Sequence, residues 1–285
     1  MTAAASTEAT PKWILDDLYL AQDDPKISED LDRTAESAKS FAAQYQGKLA
    51  ALDGAGLGRA IKEYEELSEV LSAVMSYAQL LFAADAENAQ VAAFYQDMNE
   101  RATEISTDTL FFELELNRIE DATLAQQMTD PTAVKYAPWV DSVRIYKPYQ
   151  LDDELEKLLH EKSVTGRASW SRLFDETMAG MRFDVDGRKI SSSEIMSRMS
   201  DADGLVRKKA AKAFGKGFNE NIKLFSLVTN TLAKDKEIED GWRKFPRPVS
   251  SRNLSNQVED EVVDALASAV KDNYANLAHR YYKLK

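Results

Sequence analysis

The chain of 285 residues contains no cysteine and only two histidines, His160 and His279. Without cysteine it cannot form disulfides, zinc ribbons, iron–sulfur sites or thiol nucleophiles. Glycine and proline are also scarce, with 11 and 7 residues, and this scarcity favours helices. No apolar run approaches the roughly 20 residues that a membrane-spanning helix needs. The first residues also lack the basic and apolar segments of a signal peptide, so we expect a soluble protein with no membrane partner.

Acidic side chains outnumber basic ones, 48 to 36, and the net charge is −12. A chain this acidic repels a phosphate backbone, so we expect no nucleic-acid partner. Its hydrophobic content of 44% is sufficient for a packed core and excludes a wholly disordered chain. The lack of cysteine and of a signal peptide fits a cytoplasmic protein.

Apolar residues recur at three- and four-residue steps through most of the chain, which is typical of amphipathic helices. We therefore predict a mainly α fold of antiparallel helical lobes with one small β-hairpin near 182–191. The hairpin follows from Asp186 and Gly187, a dipeptide that forms tight turns. Ser191 and Glu194 form a capping-box pattern after it, which predicts the start of the next helix.

Three regions are predicted: an N-terminal helical region at 1–128, a second helical segment with the hairpin at 129–200, and a last region at 201–285. Within the last region we expect two long helices, one from Leu205 to Asp240 and one from Val258 to Lys285. Because the second has no capping residue at its end, truncation and a native terminus are both open interpretations. In a truncated chain, apolar helix faces after residue 205 would be exposed and would favour self-association.

The most suggestive motif for chemistry is His160-Glu161, which begins like the zinc-binding HExxH helix. The fourth residue after His160 is Val164, so the second zinc ligand is missing. Glu156 lies one turn before His160, and a structural pair between these two side chains is the favoured interpretation.

The other candidates also favour structural roles. The glycine-rich segment DGAGLG (53–58) lacks the following Lys-Ser/Thr of a phosphate loop and is interpreted as a linker before a helix. The acidic runs 16–17, 23–24 and 152–154 lack calcium-loop spacing and are typical of helix starts. Serines 191–193 have no neighbouring histidine, and Asn253 begins a glycosylation sequon that matters only in a secretory setting.

Three aromatic residues, Trp139, Tyr146 and Tyr149, could grip a peptide, although core packing is the default role for such residues. From its residues alone, therefore, the chain offers no catalytic, cofactor-binding or metal-binding residue.

The sequence as a whole resembles the N-terminal part of oligoendopeptidase F, a zinc metallopeptidase family of the thimet-oligopeptidase group. The segment 147–177, KPYQLDDELEKLLHEKSVTGRASWSRLFDET, carries the resemblance most specifically. Further support comes from shorter segments in the expected order: 13–19, 111–119, 230–238, 251–266 and 279–285.

The resemblance implies a mainly helical, two-lobed fold around a deep channel, and oligopeptides as substrates. In that family one zinc is bound by the two histidines of HExxH and a downstream glutamate, and the motif glutamate is the general base. No position in 1–285 matches those residues, so none is carried over, and we expect this chain to bind no zinc and to be inactive alone.

On this basis the missing C-terminal catalytic portion is an expected partner, and region 201–285 is the truncated start of the catalytic region. Two alternatives stay open: a helical module that binds peptides without cleaving them, and a helical scaffold with no peptide binding.

Overall fold

The computed structural model describes residues 13–284, so the first and last predicted regions are covered from residue 13 and up to residue 284. The structure is 74% helical, and the single sheet among the described residues has two strands, which confirms the mainly α prediction with its small hairpin. The elements, in chain order, are α1 (Pro25–Tyr45), α2 (Gly54–Ala84), α3 (Ala89–Thr109), α4 (Phe111–Arg118), α5 (Asp121–Gln127), α6 (Pro131–Val134), α7 (Ala137–Arg144), α8 (Asp153–Lys162), α9 (Arg167–Gly180), β1 (Phe183–Val185), β2 (Arg188–Ile190), α10 (Ser192–Arg198), α11 (Gly204–Glu220), α12 (Ile222–Arg243), α13 (Ser250–Ser255), α14 (Asp260–Asp272) and α15 (Ala278–Leu284).

Helices α1, α2 and α3 pack against one another and form the N-terminal bundle. Each begins at a polar cap: the side chains of Asp24, Asp53 and Asn88 accept hydrogen bonds from backbone N–H groups of the first turn. One core cluster lies between the three helices and includes Leu31, Val74 and Met98. Short connections join these helices, as expected for antiparallel neighbours.

A second core cluster joins the end of α1 and the start of α2 to α4, α5 and α7. Phe112 and Leu116 of α4 are fully buried in it. At the end of α4 the guanidinium of Arg144 donates to the carbonyl oxygens of Leu116, Asn117 and Ile119 at 2.7 to 2.9 Å. These carbonyls have no partner within the helix, so Arg144 caps α4 from a different helix.

The hairpin, α10, α11 and α12 share a third core cluster, which includes Phe183, Ile195 and Ala210. Asp186 and Gly187 have φ angles of 55° and 82°, the left-handed conformation of a type I′ turn. Ser191 Oγ accepts a hydrogen bond from the Glu194 N–H at 3.3 Å and starts α10. The predicted hairpin and helix cap are therefore confirmed.

The predictions of two uninterrupted helices in the last region were wrong. The first is divided at Asn221 into α11 and α12, and the second is divided between Asp272 and Ala278 into α14 and α15. At both breaks an asparagine amide bonds back to a carbonyl four residues earlier: Asn221 to Gly217 at 3.0 Å, and Asn273 to Ala269 at 2.8 Å. Such side-chain bonds compete with the helical backbone pattern and end the helix.

Candidate functional site

His160 lies on α8 and faces α3, where its Nε2 atom is 2.8 Å from the hydroxyl oxygen of Ser106. Val164, in the position of the second HExxH histidine, is buried with 8% exposure. The expected pair between Glu156 and His160 was wrong, because Glu156 binds Arg243 of α12 instead. Within residues 13–284, no three His, Asp or Glu side chains lie together as a metal-binding group. The described side chains therefore do not fit a catalytic zinc.

Glu156 and Arg243 form the centre of a polar connection between α8 and α12. The guanidinium donates two hydrogen bonds to the carboxylate, at 2.7 and 2.9 Å, and a third to Glu239 at 2.8 Å. The backbone N–H of Leu151 also donates to Glu156, at 2.8 Å. Burial alone would raise the pKa of the Glu156 carboxyl, but the bonds from Arg243 and Leu151 outweigh it and lower the pKa.

The rings of Tyr149 and Phe245 stack beside this ion pair, with centroids 4.1 Å apart. Glu156 and Arg243 are 87 residues apart in the sequence. No local pattern identifies such a contact, and sequence reasoning missed it for that reason.

The three aromatic residues considered as a peptide grip do not form one cluster. Trp139 packs against Tyr64 and Phe112 beside the second core cluster. Tyr149 stacks on Phe245, and Tyr146 is 38% exposed. The prediction of core packing is confirmed for Trp139, and the three side chains do not present a shared binding surface.

The glycine-rich segment begins α2, and close packing accounts for two of its glycines. A Cβ atom on Gly54 would lie 2.4 Å from the carbonyl oxygen of Gln127, and one on Gly58 would lie 2.6 Å from the carbonyl carbon of Thr132. Both neighbours are backbone atoms that cannot move aside cheaply. The segment thus allows α2 to approach α5 and α6 closely. Its interpretation as a linker before a helix was wrong, because residues 54–58 belong to α2 itself and Asp53 is the cap of that helix.

The remaining candidates have structural partners. Asp24 caps α1, and the run at 152–154 lies at the start of α8, as expected for helix-start charges. The same prediction was wrong for the run at 16–17, which lies in a turn several residues before α1. Asp153 forms an ion pair with Arg118. The sequon residue Asn253 is 7% exposed, and its amide donates to Asp260 at 2.7 Å. That amide nitrogen is therefore not available as a glycosylation acceptor in the folded chain.

A cleft of about 550 Å³ lies between α1 and α2. Phe41, Leu67 and Val70 provide its apolar side, and Glu63 and Glu66 lie among its polar lining residues. The volume is within the range of small-ligand sites, about 300–1,000 Å³. Glu63 accepts a hydrogen bond from the Tyr45 hydroxyl at 3.0 Å, so this edge of the cleft is fixed.

The C-terminal part of the described chain exposes large apolar side chains. None of the residues of α14 and α15 is buried. Leu266 is 65% exposed and Leu277 is 67% exposed, and on α12 Trp242 is 62% exposed. This exposure matches the expected uncovered faces after residue 205, whereas self-association itself stays a prediction.

Helix α2 is long and apolar enough to be a candidate membrane span by length and composition alone. One such helix is weak evidence, because core helices of soluble proteins pass the same test. Here α2 packs against α1, α3 and α6, and its Val74 and Ala78 are fully buried. Part of α2 therefore lies in the core, and 28% of its apolar window is buried inside the fold.

The comparisons with known proteins agree with the sequence resemblance. Residues 115–183 match the sequence model of a family described as oligopeptidase F. This range contains the segment 147–177, so the resemblance is confirmed where it was most specific. A search of curated proteins gives no match.

Two solved structures share the fold. A crystal structure of oligoendopeptidase-F from Enterococcus faecium matches with a TM-score of 0.80 and 19% identity, over 93% of this chain and 53% of that chain. A Chlamydophila abortus protein, provisionally described as a peptidase, matches with a TM-score of 0.60 and 17% identity, over 95% of this chain and 46% of that chain. This chain thus spans about half the length of each.

Proposed function

We propose that this chain is the N-terminal part of a zinc metalloendopeptidase, because it resembles the N-terminal part of an oligopeptidase F in sequence and in fold. The whole enzyme hydrolyses short peptides in the cytoplasm, and this portion contributes helices to the wall of the substrate channel. The observation that carries the proposal is the family match over residues 115–183, reinforced by the fold match over 93% of the chain.

In this proposal the catalytic residues lie outside residues 1–285. The nearest approach to a zinc motif has Val164 in place of the second histidine, and His160 is engaged with Ser106. The chain alone is therefore inactive, and the zinc of the whole enzyme is bound by the missing catalytic portion.

A quenched fluorescent oligopeptide tests this proposal directly. The 285-residue chain, incubated with the peptide and added zinc, is expected to give no increase in fluorescence. Hydrolysis that a chelator abolishes would contradict the assignment of the zinc site to another portion. In a second reaction, the catalytic portion of an oligoendopeptidase F is prepared separately and added to the chain. Hydrolysis that requires both pieces would support the proposal that this chain forms part of the wall of the substrate channel.

A peptide-binding module without catalysis is the second candidate, and the cleft between α1 and α2 favours it. Fluorescence anisotropy with the same labelled peptide separates the candidates. Saturable binding that is lost when Leu67→Arg fills the apolar side of the cleft supports a module, whereas no binding at any concentration excludes the module.

The exposed apolar faces of α12 and α14 are proposed to lie against the missing catalytic portion. In its absence these faces favour contact with other apolar surfaces. Association through them strengthens or is unchanged as salt rises, because burial of apolar area is not screened by ions.

A further inference from the structure

The outer face of α11 carries a row of lysines in a chain that is otherwise acidic, and one acid, Glu220, follows the row at the last residue of the helix. Between residues 204 and 219 there are five basic side chains and no acidic ones. Lys208, Lys212 and Lys216 follow one another at four-residue steps, so all three lie on the same exposed face. Lys208 and Lys212 have no ion-pair partner among residues 13–284, and Lys216 has a distant one, Glu220 at 3.9 Å.

The outer face of α3 carries acids at the same spacing. Glu100, Glu104 and Asp108 are exposed and also follow at four-residue steps, with Asp97 one turn before them. Four residues of α-helix rise about 6 Å, so the two rows of charge have equal spacing and opposite sign. No ion pair joins α3 to α11 within the described part of one copy.

Cations of the same copy neutralise the α3 face only in part. Arg101 binds Asp32 at 2.8 Å, and Lys39 binds Glu36 at 3.0 Å. Both cations have acidic partners on α1, and Lys39 also interacts with Asp108 and Glu104. The four acids of α3 therefore outnumber these two cations.

The opposite charges also belong to opposite ends of the chain. Residues 13–128 contain 23 acidic and 8 basic side chains, a net charge of −15. Residues 201–285 contain 12 acidic and 16 basic side chains, a net charge of +4. A second copy therefore offers the α11 face an acidic surface, and the attraction between these two faces acts against the repulsion between two chains of net charge −12.

We propose that the lysine face of α11, formed by Lys208, Lys212 and Lys216, docks on the acidic face of α3 in a second copy of this chain. The matched spacing allows three charge pairs along the two helices. A single exposed pair strengthens binding less than about fivefold, so the contact depends on several pairs together and is weak. It does not depend on the proposed peptidase function.

The contact differs from apolar association in its response to salt. At about 10 mM salt the Debye length is about 30 Å, and at about 1 M it is about 3 Å. In sedimentation equilibrium at low salt, the complete chain is expected to exceed its monomer mass of 31.9 kDa. The average mass is expected to fall as salt rises to about 1 M, and any association through the apolar faces of α12 and α14 is the part that persists there.

Charge reversal identifies the two faces. Lys208→Glu/Lys212→Glu and Glu100→Lys/Glu104→Lys are each expected to raise the low-salt dissociation constant at least about tenfold. A mixture of the two variants restores association, because each reversed face then meets a reversed partner. The control, Lys157→Glu/Lys189→Glu, makes the same charge change on exposed residues elsewhere and leaves the constant within about twofold of the original.

Three results would each overturn the proposal: a monomer at low salt, an average mass that does not fall between low and high salt, or a mixture that fails to associate while both variants keep their helical circular dichroism. Equal weakening by the control pair would show a general charge effect and would overturn it as well.

Discussion

The ion pair between Glu156 and Arg243 offers the sharpest test of how the chain is held together. Glu156→Gln keeps the shape of the side chain and removes its charge. In the structure the two side chains are 12% and 19% exposed and share two hydrogen bonds, of 2.7 and 2.9 Å. The variant leaves Arg243 partly buried with one remaining carboxylate, Glu239.

The expected loss of stability lies between two limits. Breaking a fully buried pair costs about 3–5 kcal/mol, and losing an exposed pair costs about 0.2–1 kcal/mol. Because this pair is mostly covered and Arg243 retains Glu239, we expect the free energy of unfolding to fall by about 2 kcal/mol. The double variant with Arg243→Met should lose less than the sum of the two single losses, since it leaves no unpaired charge.

The same pair makes a prediction about pH. Burial opposes the charged carboxyl, but the bonds from Arg243 and the Leu151 N–H hold the pKa of Glu156 below its ordinary value of 4.5. A group with a lowered folded pKa contributes stability that is complete above the unfolded pKa and is lost as pH falls through the folded one. The difference between wild type and Glu156→Gln is therefore constant near neutral pH and shrinks below pH 4.5.

Urea unfolding followed by circular dichroism, repeated across this pH range, measures both effects. The matched control is Glu239→Gln, whose side chain is 44% exposed, and its expected cost is at most about 1 kcal/mol. The reasoning is refuted if Glu156→Gln costs no more than this control, or if its cost is the same at acidic and neutral pH.

Four further substitutions, each measured by urea unfolding, test local features of the fold. Gly58→Ala forces a Cβ atom to within 2.6 Å of the Thr132 backbone and should cost about 1–3 kcal/mol, while Gly215→Ala in α11, with nothing within 4 Å, should gain up to about 1 kcal/mol. Equal effects of the two glycine substitutions would contradict the packing argument. Arg144→Met leaves three carbonyls at the end of α4 without their charged donor and should cost about 2 kcal/mol; a loss below about 0.5 kcal/mol would mean that water replaces it. Ser191→Ala removes the cap of α10 and should cost about 1 kcal/mol, and an unchanged midpoint would show that the cap is dispensable.

Local features were predictable because their physical cause lies within a few residues. The turn at Asp186 and Gly187 requires positive φ angles, and this dipeptide supplies them at low cost. The amphipathic period likewise follows from one helix facing one core. The predictions of unbroken helices failed at Asn221 and Asn273, since an amide that bonds back to its own helix leaves the apolar period almost unchanged.

Contacts between distant segments could not be predicted from the sequence. Ser106 and His160 are 54 residues apart, and Glu156 and Arg243 are 87 apart. A pairing of this kind depends on how whole helices are placed, and the local signal at Glu156 pointed to the wrong partner, His160. A histidine one helical turn from Glu156 does not exclude a stronger partner on another helix, and Arg243 is stronger because it donates two hydrogen bonds to the carboxylate.

Helix α14 shows that periodicity predicts an apolar helix face but not the partner that covers it. Periodicity in α14 correctly identifies Val262, Leu266 and Val270 as one apolar face, yet all three are about half or more exposed. The pattern therefore indicates that a helix face suits an apolar partner and contains no information on whether that partner lies in the same chain.

In the proposed peptidase the partner of the α14 face is the catalytic portion, so docking that portion should protect the backbone amides of α14 from hydrogen exchange. The amides of α2, which already packs within the N-terminal bundle, should exchange at an unchanged rate, and equal protection of both helices would argue against a specific role for the α14 face.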